Sequence, residues 1–121
     1  RLVDLNGHSV LVVSDEGSAL ARIQDVLDLI GEALPQGVSA IVVPVTRLDP
    51  VFFRLSSGFA GEFVQKIVNY RLRLAVIGDI AALTAGSAAL ADFVRESNRG
   101  RDIFFLKDLD VLAARLGVES Q

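Results

Sequence analysis

Four short runs of apolar residues, separated by segments with a helical period, constrain the fold of this chain most. The runs span residues 10–13, 41–43, 74–77 and 103–106. Continuous apolar runs of this length are typical of strands that are covered on both faces. Because predicted strands and helices alternate with short links, the sequence predicts right-handed crossovers and a largely parallel sheet.

An Asn-Gly pair near the beginning of the chain predicts an additional strand. Leu5-Asn6-Gly7-His8 is typical of a two-residue type I′ turn, since both central positions need a positive φ. This turn would join a first strand over residues 2–5 to a second strand over residues 9–13. The expected sheet therefore has five strands, with an antiparallel hairpin at one edge.

The remaining periodic segments predict four helices. They span residues 19–34, 57–70, a third segment that begins after Ser87, and residues 109–116. Ser87 and Asp108 are predicted caps, Asn98 and Gly100 a left-handed helix end, and Gly117 a stop. Residues 81–86 are read either as a loop or as a frayed helix start. The predicted fold is a single α/β domain over residues 1–121.

Composition narrows the classes of function. The apolar fraction is about 59% when glycine is counted and tyrosine left out, against about 45–50% in typical proteins. We therefore expect a partner surface or self-association into a homo-oligomer. The net charge of −3 argues against a nucleic-acid partner. The absence of methionine suggests trimming or processing.

Membrane, redox and metal chemistry are not expected from the sequence. No apolar run approaches the roughly 18 residues that a membrane span needs. Cysteine is absent, which excludes disulfides and thiol catalysis and favours a cytoplasmic location. No cluster of metal-ligating residues is present, so no metal site is predicted.

Enzyme motifs are also missing. His8 is the single histidine and lies beside the predicted hairpin tip, so it is interpreted as a turn residue. The sequence has no Gly-x-Ser-x-Gly elbow, no P-loop and no Gly-x-Gly-x-x-Gly fingerprint. We therefore predict no cofactor and consider a non-enzymatic role more consistent with the sequence.

The segment 52–66 is the main candidate for a functional site, because two serines and two glycines stand where a loop becomes the second helix. Ser56 and Ser57 are predicted to cap that helix. Gly58 and Gly61 either allow close packing of helix on sheet or leave backbone N–H groups free to bind an anion.

Other polar side chains are expected near this helix start. Ligands of parallel sheets bind at the carboxyl ends of the strands. That edge should carry Ser14, Asp15, Arg47, Asp79 and Lys107. Asp79 is interpreted either as a loop cap or as a charged group at a cleft.

A polar stripe is predicted on the second helix. It consists of Glu62, Gln65, Lys66, Asn69 and Arg73. Glu62 and Lys66 are one turn apart in the favourable order for an ion pair. The stripe is either part of a binding surface or a solvated face.

Several of these segments resemble the bacterial domain-of-unknown-function family 4180. The resemblance covers nearly the whole chain and implies a bacterial protein with no assigned activity. It is carried by the segments Phe52-Phe53-x-Leu55, Gly58-x-Ala60-Gly61-Glu62, Gln65-Lys66, Asn69-Tyr70, Ala75-Val76-Ile77-Gly78-Asp79 and Ser97-Asn98-x-Gly100.

The element order also resembles the STAS domain of anti-sigma-factor antagonists. Those domains carry Asp-Ser-Ser-Gly at the start of their second helix, and a partner kinase phosphorylates the second serine. Leu55-Ser56-Ser57-Gly58 occupies the similar place here, with Leu55 in place of the acid. The resemblance implies a STAS-like fold and Ser57 as a candidate phosphoacceptor.

These observations lead to two functional hypotheses. The first is a non-enzymatic regulatory or protein-interaction domain that uses the start of the second helix. The alternative is a small ligand-binding sensor or small enzyme with an anion at the same helix start. The candidate surface comprises Arg47, Phe52, Phe53, Ser56, Gly58, Gly61, Glu62, Gln65, Lys66, Asp79 and Lys107.

Overall fold

One mixed five-stranded sheet organises the structure, a computed structural model that describes residues 1–119 and the side chains of residues 1–117. The strands are β1 (Leu2–Leu5), β2 (His8–Val12), β3 (Ala40–Pro44), β4 (Arg73–Ile77) and β5 (Ile103–Leu106). They lie in the order in which they occur in the chain. The predicted α/β class and strand set are confirmed.

The hairpin at the beginning of the chain forms as expected. β1 and β2 are antiparallel, and the other neighbouring strands are parallel. Asn6 and Gly7 have φ of 50° and 87°, the positive values that the turn between β1 and β2 requires. Asn6 also donates from Nδ2 to the carbonyl oxygen of Ala113 at 2.7 Å, which ties the hairpin to the last helix.

The described residues contain five α-helices, so the prediction of four was wrong. They are α1 (Ile23–Ala33), α2 (Phe59–Asn69), α3 (Ala81–Ala85), α4 (Ala88–Arg99) and α5 (Leu109–Glu119). The additional one is α3, in the segment that the sequence left open. Ser87 and Asp108 cap α4 and α5 as predicted, accepting from the backbone N–H groups of Leu90 and Val111.

The sheet winds in a single direction, and this places the helices unevenly. Each parallel strand is followed in the chain by the strand that lies next to it in the sheet. Because the crossovers share one hand, α1, α2 and α4 all pack on one face of the sheet. α5 packs alone on the other face, where Leu112 and Leu116 are fully buried against Val10, Val42 and Phe104. The larger core therefore lies on the three-helix face.

Three helix boundaries differ from the sequence prediction. α1 begins at Ile23 because Leu20 is extended and forms a bridge with Leu48. α2 begins at Phe59 because Gly58 has a left-handed φ of 80°. Gly117 does not end α5: it lies inside the helix, where a Cβ atom would come within 3.0 Å of the Asn6 side chain.

The predicted left-handed end of α4 was also wrong. Gly100 has φ of −85° and ψ of −165°, which any residue can adopt. Asn98 instead turns its amide towards the edge strand β5. Its Oδ1 accepts from the N–H of Phe105 at 2.7 Å, and its Nδ2 donates to the carbonyl of Phe105 at 3.1 Å. Asn98 thus satisfies backbone groups that would otherwise be open at a sheet edge.

Candidate functional site

The carboxyl ends of the parallel strands bring several of the candidate side chains to one edge of the sheet. β2, β3, β4 and β5 end at Val12, Pro44, Ile77 and Leu106. The segments that follow carry Ser14 and Asp15, Arg47, Asp79, and Lys107. The start of α2 follows β3 and lies at the same edge, because α2 runs back along the sheet.

Arg47 holds the loop after β2 in place. Its Nη1 donates to the carbonyl oxygens of Ser14 and Glu16, both at 2.8 Å, and its Nε donates to that of Ser18 at 3.0 Å. Gly17 has a φ of 123°, and a Cβ atom there would lie 3.0 Å from the guanidinium carbon. The guanidinium is therefore engaged by the fold, which leaves it little capacity to bind a ligand.

The polar groups before α2 form a tight turn. Ser57 Oγ donates to the carbonyl oxygen of Val51 at 2.9 Å and accepts from the N–H of Phe59 at 3.2 Å. Gly58 is the residue that precedes the helix, so the serines do not occupy the predicted cap position. Ser57 nevertheless satisfies one of the open N–H groups of the first turn, whereas Ser56 is exposed.

The phenylalanines of this segment form the centre of the core. Phe52 is 0% exposed, and its ring contacts those of Phe53, Phe59, Phe63 and Phe105 at centroid distances of 5.1–6.3 Å. The prediction that Phe52 lies on a binding surface was therefore wrong. An irregular crossover gives no periodicity from which the inward side could be read. Phe53 is half-buried and reaches the surface.

The first turns of α2 are open to solvent. Gly61, Glu62 and Gln65 are exposed, and Lys66 is half-buried. A Cβ atom on Gly61 would meet nothing within 4 Å, so Gly61 is not needed for close helix packing. Among the side chains of residues 1–117, Glu62 and Lys66 do not form the expected ion pair, whereas Gln65 donates to Asn69 at 2.8 Å.

Asp79 and Lys107 line a separate cleft at the ends of β4 and β5. The cleft has a volume of about 510 Å³, and its wall includes Val94 of α4 and Phe105. Asp79 Oδ1 accepts from the N–H of Ala81 at 2.9 Å, so the loop-cap interpretation of Asp79 agrees with this contact. The start of α2 contributes no residue to this cleft.

Two polar residues organise the neighbouring elements: Asn98, which the sequence predicted only as part of a helix end, and Arg115, which it did not single out. Asn98 binds the edge of β5, as described above. Arg115 of α5 donates to the carbonyl oxygens of Asn98 and Gly100, and its guanidinium carbon lies 4.7 Å from the centre of the Phe104 ring. Both residues act between elements, so no local pattern could have identified these roles.

Asp25 holds the beginning of α1. Its Oδ2 accepts from the N–H groups of Ala21 at 2.9 Å and Arg22 at 3.0 Å. The hydrogen bond from Ala21 is the largest cause of a pKa below the usual range for this carboxyl, and the bond from Arg22 and its guanidinium act in the same direction. Burial of the side chain opposes them.

Neither a metal cluster nor a membrane helix is present in the described part of the chain. No three His, Cys, Asp or Glu side chains there lie close enough to hold a metal ion. No helix among those residues is long and apolar enough to cross a membrane. His8 is the first residue of β2 and pairs with Leu5 at the hairpin, away from the carboxyl edge.

Comparison with known proteins identifies a family and no relative of established activity. No curated protein and no solved structure matched the chain, so the STAS-like fold is still a prediction. Residues 5–116 match the family described as a domain of unknown function, DUF4180. This match covers nearly the whole chain, and the chain therefore belongs to the DUF4180 family.

Proposed function

We propose that the chain is a non-enzymatic regulatory or protein-interaction domain and that it works through the start of α2. The α2-start surface consists of Phe53, Ser56, Ser57, Gly58, Gly61, Glu62 and Gln65. The three-residue and four-residue turns before α2 contact each other and the helix, so these residues lie on one continuous part of the molecule.

The main support for this proposal is the presence of a glycine, Gly61, inside α2. Glycine inside a helix costs about 1 kcal/mol relative to alanine, because it loses more backbone entropy on folding. Gly61 is exposed, has no left-handed φ, and has open space where a Cβ atom would stand. The fold gives no reason for this glycine, as it gives none for Gly31 of α1. Gly61 differs in its place in the first turn of α2, at the carboxyl edge, where a partner could approach the bare helix backbone.

The surroundings of Gly61 suit a protein contact. The half-buried ring of Phe53 supplies an apolar centre, and the exposed side chains of Ser56, Glu62 and Gln65 supply a polar rim. An apolar centre with a polar rim is the usual composition of a protein–protein interface.

The winding of the sheet favours an interaction surface over an enzyme pocket. Ligand crevices in open parallel sheets form where the strand order reverses, so that neighbouring crossovers leave on opposite faces. β2 to β5 follow one another in a single direction, so the start of α2 does not lie at such a reversal. The sequence predicts Arg47 as part of the candidate surface and Ser57 as a phosphoacceptor. Both side chains form hydrogen bonds within the fold.

Phosphorylation of Ser57 is the regulatory part of the proposal. Ser57 is exposed, and a phosphate on it would lie next to the positive end of the α2 dipole. The modification would also remove the hydroxyl proton that binds the carbonyl of Val51. It would therefore change both the charge and the shape of the α2-start surface.

The expected partner is a protein, either a different one or a second copy of this chain in a homo-oligomer. The proposal includes a bacterial cytoplasmic location, for which the absence of cysteine and the family resemblance are the support. No nucleic acid is expected, because the net charge is −3.

Site-specific photocrosslinking in cells tests the surface directly. A benzophenone amino acid replaces Glu62 on the α2-start surface in one variant and Glu32 on α1 in the control. Both positions are exposed on helices, so neither replacement disturbs the core. A defined crosslinked species from position 62 and none from position 32 is the expected result.

The species also distinguishes the two kinds of partner. A band at twice the mass of the chain indicates self-association, and a larger or smaller complex indicates a different protein. Equal crosslinking from both positions, or none from position 62, would contradict the proposed surface.

A further inference from the structure

The cleft at the ends of β4 and β5 is separate from the α2-start surface and has the features of a small-molecule site. We propose that it binds a small zwitterion with an apolar body, such as an apolar α-amino acid. Its volume of about 510 Å³ lies within the range of ligand pockets, about 300–1,000 Å³.

The wall of the cleft is mainly apolar. It is lined by Ile80 and Ala81 at the beginning of α3, Val94 of α4, and Phe105 and Leu106 of β5. Thr84 also lines it, but its hydroxyl already donates to the carbonyl oxygens of Ile80 and Ala81. The wall therefore favours the burial of an apolar body.

Two opposite charges stand at the rim of this apolar wall. Asp79 and Lys107 follow β4 and β5, whose ends are paired through Ile77 and Leu106. Paired strands lie about 4.8 Å apart, and Lys107 directly follows β5 whereas Gly78 separates Asp79 from β4, so the two charged residues leave neighbouring strand ends. Within residues 1–117 they do not pair with each other, and Lys107 has no other bonded partner.

This arrangement selects for a ligand that carries both charges. One oxygen of Asp79 binds the N–H of Ala81, which leaves the other oxygen for an ammonium group. The ammonium group of Lys107 can bind a carboxylate. A simple anion would be repelled by Asp79 and a simple cation by Lys107, whereas a zwitterion satisfies both.

Titration of the labelled chain by NMR tests this site with defined probes. L-phenylalanine and L-leucine are the zwitterions, and 3-phenylpropionate and phenethylamine carry one charge each on a similar body. We expect the two amino acids to shift the amide signals of residues 78–81 and 107. The affinity of the probes with a single charge should be at least about tenfold lower.

Two variants at the rim separate binding from folding. D79N keeps an oxygen for the N–H of Ala81, and K107M keeps the length of the side chain. Each should lower the affinity for the amino acids about tenfold or more, because each removes one charge-assisted bond. D15N and K66M make the same chemical changes outside the cleft and should leave the affinity unchanged.

A third variant closes the cleft without touching a charge. A81L extends a side chain from an exposed helical position into the cleft and should abolish the amino-acid shifts. The proposal is overturned if no amino acid shifts these signals up to about 10 mM. It is equally overturned if the probes with a single charge bind as tightly, or if D79N and K107M bind like the unaltered chain.

Discussion

The beginnings of α1 and α2 lie at the same edge of the sheet but are held in different ways. At α1, Asp25 accepts from two backbone N–H groups and Arg47 fixes the preceding loop through three carbonyl oxygens. At α2, Ser57 accepts one bond from the N–H of Phe59, and the main anchor is the buried ring of Phe52.

This difference shows which side chains the fold does not need and which could therefore serve a function. Polar groups at the start of α1 are used by the fold, so a change there should reduce stability. At the start of α2 the aromatic anchor lies below the surface, which leaves Ser56, Gly61 and Glu62 without a structural task. Function should therefore be separable from stability at α2 and not at α1.

Loss of the aromatic anchor should have the largest effect. F52A removes a fully buried ring that contacts four other phenylalanine rings, and should lower the free energy of unfolding by about 3–5 kcal/mol. Urea denaturation measures it. F53A is the control: its ring is half-buried, so the loss should be clearly smaller. Equal losses in the two variants would show that Phe52 is not the anchor.

Loss of the polar anchor should rank second. R47M removes three hydrogen bonds from the loop after β2 and should lower the free energy of unfolding by about 2–3 kcal/mol. Amide exchange of residues 14–18 should accelerate at the same time. R54M alters an exposed arginine nearby and should change stability by less than about 0.5 kcal/mol. If R47M is as stable as R54M, the start of α1 is not held in this way.

The strands and the edge could be predicted from the sequence, but the two anchors could not. Apolar runs report burial on both sheet faces, and topology alone places Arg47, Asp79 and Lys107 at the carboxyl edge. The start of α1 was misplaced because Leu20 satisfies the leucine period, yet its backbone binds Arg47 and Asp49. Contacts so distant in sequence leave no local pattern.

The candidate site shows the same limit. Phe52 and Phe53 are neighbours of identical type, and only tertiary packing decides that one is buried and the other reaches the surface. Asn98 and Arg115 act across element boundaries for the same reason. The sequence therefore placed these residues at the carboxyl edge of the sheet but could not assign the role of each one.

Asp25 makes the stability of the α1 start depend on pH. Its pKa is lowered in the folded chain, so the carboxylate stabilises the fold above the unfolded pKa of about 3.9. That contribution should be lost as the pH falls through the lower, folded pKa. D25A should cost about 1–2 kcal/mol at neutral pH.

Denaturation at several pH values below about 5 checks this sign. D25N should flatten the acid dependence of the free energy of unfolding relative to the unaltered chain. D15N, at an exposed position in the loop, controls for the chemical change from Asp to Asn. An identical slope in D25N and the unaltered chain would count against the role of Asp25.

Ser57 should contribute less than Asp25, and Ser56 almost nothing. S57A removes the bonds to Val51 and Phe59 and should lower the free energy of unfolding by about 1 kcal/mol. S56A changes an exposed neighbour of the same type and should stay within about 0.5 kcal/mol. Equal values in the two variants would remove the structural distinction between the serines.

The smallest expected effect on stability, at Gly61, gives the sharpest test of the comparison between the two helix starts. G61A should raise the free energy of unfolding by about 0.5–1 kcal/mol, because alanine loses less backbone entropy and its Cβ atom meets open space. G31A is the matched control, since Gly31 is also exposed inside a helix with open space around it. Urea denaturation should give similar gains for both.

Binding should then separate the two glycines. If a partner approaches the bare backbone of α2, the added methyl group in G61A hinders it, so crosslinking from position 62 should fall although the chain is more stable. G31A should crosslink like the unaltered chain, because Gly31 lies in the last turns of α1, away from the carboxyl edge. Unchanged crosslinking in G61A would mean that the partner does not approach Gly61, and this glycine would then give no support to the proposed surface.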